Sequence, residues 1–94
     1  MKTQAKISEV QLNIGKIVEL YRRKEKLTQE ELAERIGASR PTISHIENGR
    51  GASTSIILKI FKYFGVLQDL NSFYESMLNR LEEEKGLTGL DLYG

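Results

Sequence analysis

The chain has no cysteine and no tryptophan, and only one proline and one histidine in 94 residues. Without cysteine there is neither a disulfide framework nor a thiolate metal site, and a reducing cytosol is the natural compartment. The lone His45 has no second histidine or cysteine with which to share a cation, so neither metal nor cofactor is expected. No apolar run approaches the roughly 18 residues of a membrane span, and the opening MKTQAKISEVQ has no signal-peptide core. A soluble, cytoplasmic protein is expected. A glycine-rich phosphate loop is missing too, because GRGAS follows no strand and lacks the Lys-Ser/Thr pair.

What is present is ordinary in amount and uneven in distribution. At 39% hydrophobic and 29% charged residues, the composition fits one globular domain with a modest core. The net charge of +1 conceals an asymmetry: residues 1–67 carry 12 Lys or Arg against 7 Glu, giving +5, whereas residues 68–94 carry 2 against 6, giving −4. A basic front and an acidic tail fit two different tasks, although a solvated surface can carry the same charges. The carboxylates Glu30, Glu31 and Glu34 have no metal partner or pocket, and Glu82 to Glu84 read as a solvated helix end. No catalysis is expected.

Strand signals are almost absent, and helix punctuation recurs. From about Ser8 to Glu25, Val10, Ile14, Ile17, Val18 and Tyr21 recur at spacings of three and four, which predicts a helix packing by that face while Lys16, Glu19 and Arg23 stay wet. Thr28, followed three residues later by Glu31, predicts a capping box at the start of a second helix. Leu32, Ala33 and Ile36 form its buried stripe, and Gly37 ends it in a left-handed turn. Ser39 caps a third helix whose first residue is either Arg40 or Pro41, with Ile43 and Ile46 inward and Gly49 at its close. Ser53 caps a fourth, striped by Ile57, Ile60, Phe61 and Phe64 and stopped by Gly65. A fifth runs from about Asp69 to Lys85 with Leu70, Phe73, Tyr74, Met77, Leu78 and Leu81 on one face, and the tail GLTGLDLYG reads as extended. Helices of two turns are unstable alone, so the second and third exist for geometry, held by the others.

The stretch LTQEELAERIGASRPTISHIENG, Leu27 to Gly49, resembles the helix-turn-helix of phage-repressor (Cro/C1-type) and Xre-type bacterial transcriptional regulators. Gln29, Leu32, Ala33, Gly37, Ser39, Ile43, Ile46, Glu47, Asn48 and Gly49 fall where that pattern has them, and the likeness extends from about Leu12 to Val66. The resemblance implies an all-α, five-helix repressor-like DNA-binding domain over 12–67. An N-terminal arm over 1–11 would precede it, and an extended fifth helix and short tail over 68–94 would follow. It also implies that helix 3 lies in the major groove of double-stranded DNA and that a homodimer binds a palindromic operator.

The same resemblance implies residue roles. Gln29 matches a residue that bonds phosphate and braces helix 3. Ser39, Arg40, Pro41, Thr42, Ser44 and His45 occupy the reading end; the Arg40 guanidinium can bond O6 and N7 of guanine together, and Thr42 is suited to phosphate or a thymine methyl. His45 lies at a spacing that shares the face of Arg40 and Thr42, for a base or a phosphate. Asn48 and Arg50 match phosphate contacts, Arg50 being equally readable as a solvated loop residue. Arg22 and Glu47 match a structural ion pair. Where relatives often carry glycine, this chain has Lys26, so a strained turn is expected there.

The fifth helix is longer than the minimal domain requires. Its surplus face of Tyr74, Met77, Leu78 and Leu81 is expected to pair with its own copy across a two-fold axis, making a homodimer through the fifth helix and the tail. A transcriptional regulator, acting as a repressor, is the first reading. An antitoxin that represses its own operon while its acidic end holds a toxin protein is the alternative, which a toxin encoded alongside would favour.

Overall fold

The computed structural model describes residues 4–85; the tail GLTGLDLYG lies outside the described residues. Within them are five helices: α1 Ile7–Lys24, α2 Gln29–Ile36, α3 Arg40–Glu47, α4 Thr54–Tyr63 and α5 Leu67–Lys85. The all-α, five-helix expectation holds. Helix α1 begins at Ile7, so residues 7–11 of the expected arm are helical. The chain forms two compact units, one ending at Phe64 and the other beginning at Gly65.

Local chemistry places the ends of the short helices. The Glu31 backbone N–H donates to Thr28 Oγ1 at 3.0 Å, and the Thr28 N–H donates back to Glu31 Oε1 at 2.9 Å. That backbone hydrogen bond from Thr28 holds the Glu31 carboxyl below its ordinary range. Gly37, at φ 70°, closes α2 in the left-handed region, and its N–H donates to the Glu34 carbonyl at 3.3 Å. Two residues later Ser39 caps α3, which begins at Arg40 with Pro41 in its first turn. The α2–α3 connection is therefore three residues long and fixed at both ends.

The core of the first unit is Val18, Leu32, Ala33, Ile36, Ile43, Ile46 and Ile60. Each fully buried Leu or Ile contributes about 1.5–3 kcal/mol, which is what sustains two-turn helices that would melt alone. Ile14, Ile56, Ile57, Phe61 and Phe64 pack around it. The expected face of α1 is only partly right. Val18 is buried and Ile14 and Tyr21 are partly so, but Val10 and Ile17 are 48% and 39% exposed. The stripe is wider than α3 and the cluster around it can cover, and the buried line runs instead through Gly15 and Val18.

Lys26 adopts φ 58°, and its N–H donates to the Arg23 carbonyl while Leu27 donates to the Arg22 carbonyl, each at 3.0 Å. A left-handed residue costs a β-carbon-bearing side chain about 1–2 kcal/mol, against the roughly 0.5–1 kcal/mol of extra chain entropy that glycine loses. Lys26→Gly should therefore raise stability by about 0.5–1 kcal/mol, read as a higher urea midpoint at unchanged slope. An unchanged or lower midpoint would show that the lysine side chain offsets its own strain.

Candidate nucleic-acid interface

Helix α3 is held by its inner face and left free on its outer one. Ile43 and Ile46 are buried, whereas Arg40, Pro41, His45 and Asn48 are exposed, with Thr42 and Ser44 half-buried beside them. The only acidic residue of α3, Glu47, is turned inward, its side chain 4% exposed. The outer face thus carries Arg40 and His45 with no carboxylate of its own helix, and the exposed Arg50 follows.

The hydroxyls at the front of α3 are already engaged. Ser39 Oγ accepts the Thr42 N–H at 3.4 Å and lies 2.9 Å from Thr42 Oγ1. One turn from the end, Asn48 Nδ2 donates to Ser44 Oγ at 3.4 Å. These bonds tie the short polar side chains along the helix, beside the long, exposed cations Arg40 and Arg50. In this sense the structure brings Ser39, Arg40, Pro41, Thr42, Ser44, His45 and Asn48 together on or beside one helix, with Arg50 just beyond it.

Beneath that face sits a clamp built on one carboxylate. Arg22 of α1 donates from Nε to Glu47 Oε2 at 2.7 Å and from Nη2 to Oε1 at 3.0 Å, a two-pronged pair. Its Nη1 donates to the Leu27 carbonyl at 2.8 Å, in the turn that leads into α2. Gln29 Nε2, at the first position of α2, donates to Glu47 Oε1 at 3.1 Å. One carboxylate therefore ties α1, α2 and the end of α3. Hydrogen bonding to Glu47 holds the Arg22 guanidinium above its ordinary value, against the opposing effect of burial, so it stays a cation.

Gly15, which sequence reading passes over, is the other positioning residue. A β-carbon there would sit far inside contact distance of the Ile46 carbonyl oxygen and 3.0 Å from that of Glu47, so α1 meets the end of α3 backbone to backbone. The available signal was an isolated glycine between Ile14 and Val18, where a helix interior otherwise disfavours it by about 1 kcal/mol.

A short second helix and an exposed third, joined by three residues and clamped from behind, is the geometry of a pair that presents one helix to a groove. The helix-turn-helix family model matches residues 18–67, more than half of the chain. The chain belongs to the helix-turn-helix family. The expected kinship with Xre-type and phage-repressor regulators holds with it. Over 47 residues the chain is 49% identical to an uncharacterized HTH-type transcriptional regulator of Methanocaldococcus jannaschii, a span covering 49% of this chain and 71% of that relative. No solved structure matches the chain. In this helix-turn-helix protein, α5 falls outside the family match except for Leu67. No helix among the described residues is long and apolar enough to cross a membrane.

Proposed function

We propose that the protein is a cytoplasmic, sequence-specific transcriptional regulator that represses by reading the major groove of a palindromic operator with α3, as a homodimer. The outer face of α3, clamped through Glu47 and carrying no carboxylate of its own helix, supports this reading. Arg40 is the base reader, bidentate to guanine. Pro41, Ser44 and His45 complete the reading surface, Ser39 lies beside them, Thr42 meets a phosphate or a thymine methyl, and Gln29, Asn48 and Arg50 contact phosphates, Gln29 while bracing α3 through Glu47. The name of the Methanocaldococcus jannaschii relative and the basic charge of residues 1–67 support it. Dimer contact falls to Tyr74, Met77, Leu78 and Leu81, exposed together on α5. The antitoxin alternative uses that same acidic, apolar helix to hold a toxin.

Two substitutions separate reading from holding. Arg40→Ala should cost roughly 1–3 kcal/mol on the preferred operator and relax preference at one base pair per half-site. Arg50→Ala should weaken all sequences about equally and reduce the salt slope by about 1. Titrations against operator and scrambled DNA decide; base preference untouched by Arg40→Ala would put the reading register elsewhere.

A further inference from the structure

We propose that the exposed apolar face of α1 is the seat for the α5 helix of a second copy of this chain. The inference rests on the homodimer reading and deepens it by naming what α5 packs against.

On α1, Val10, Ile17 and Leu20 are exposed beside the half-buried Ile14 and Tyr21, a stripe flanking the buried line of Gly15 and Val18. Near its end Leu20, Tyr21 and Lys24 line a shallow hollow of about 210 Å³. The hollow has a firm wall, because Tyr21 stacks on Phe64 with ring centres 5.3 Å apart. On α5, Phe73, Tyr74, Met77, Leu78 and Leu81 recur at spacings of three and four and are all exposed. The two helices match in length, 18 and 19 residues. Each carries an apolar stripe of the kind that marks a partner site.

Charge selects the occupant. Helix α5 carries five acidic residues against two basic, and α1, with Arg22 neutralised by Glu47, still offers three basic against two acidic. Pairing α5 with its own copy sets two net-negative helices face to face, whereas seating it on α1 sets negative against positive. Exchange between two copies repeats that contact twice about one axis, covers all four stripes and fixes the separation of two α3 helices, as a two-fold operator requires.

The absence of cysteine makes the test direct. Ile17 and Met77 lie mid-stripe, so they meet whichever way the helices run, and both are exposed enough to accept a substitution. Chains carrying Ile17→Cys and Met77→Cys, one of them tagged, are co-expressed and treated with a bis-maleimide reaching about 10 Å, the separation of packed helix axes. The expected product is the mixed covalent dimer, with little from either chain alone. Dimers formed by Met77→Cys alone would overturn the seat on α1 and leave the homodimer standing. A chain carrying both Ile17→Cys and Met77→Cys that links only within itself, and sediments as a monomer at micromolar concentration, would overturn both. Failure to link in a protein that sediments as a dimer would overturn the seat alone.

Discussion

Glu47→Ala should cost the first unit about 1.5–3 kcal/mol, the usual worth of hydrogen bonds to a charged group, because the pair it breaks is partly withdrawn from water. Here the loss falls on Arg22, whose side chain is 11% exposed and donates twice to that carboxylate, and on Gln29, which loses its partner as well. In a domain of this size each kcal/mol lowers Tm by about 4–8 °C, so thermal melting followed by circular dichroism will show it plainly. The companion experiment separates stability from orientation. Arg22→Met with Glu47→Leu removes both charges, and replacing a buried pair by apolar residues is often neutral or stabilising. The double variant should therefore melt near the parent and yet bind operator less selectively, because the tie between α1, α2 and the end of α3 is gone. Parent-like selectivity in a well-folded double variant would show that core packing alone aims α3.

Gly15→Val should be the other severe change. Overpacking typically costs 1–3 kcal/mol, occasionally more, and the obstacle here is backbone rather than a side chain that can swing aside. The carbonyls of Ile46 and Glu47 cannot yield without moving the last turn of α3, the same turn that carries the clamp. Gly15→Ala offsets part of the loss by about 1 kcal/mol of helix propensity, which predicts an order: parent, alanine, valine in falling Tm. Operator affinity should fall in the same order. An alanine variant as stable as the parent would mean that α1 shifts along α3 to make room.

The caps and the turn between α2 and α3 were legible because their chemistry is local. Thr28 and Glu31, Gly37 and Ser39 each act within four residues, and the structure places them as the spacing implies. Arg22 and Glu47 lie 25 residues apart, and only the resemblance to a family paired them before the structure showed the contact. Gly15 was lost for the opposite reason: its partner is a backbone carbonyl, which leaves no pattern in side-chain types. On α1, periodicity found the apolar stripe and overstated its burial, since a repeat of three and four reports which residues share a face, not how much of that face a small neighbour can cover. Val10 and Ile17 are the surplus. For α5 the same reasoning found Phe73, Tyr74, Met77, Leu78 and Leu81, all of them exposed in the structure, since periodicity names a face and not its partner.

Selection of bound sequences from random double-stranded DNA tests the reading of α3 most directly. The enriched site should be a palindrome with half-site centres about 10–10.5 base pairs apart, with one guanine in each half-site whose preference disappears when the selection is repeated with Arg40→Ala. Enrichment of a single, asymmetric site, or of no sequence at all above the salt-dependent background, would contradict it.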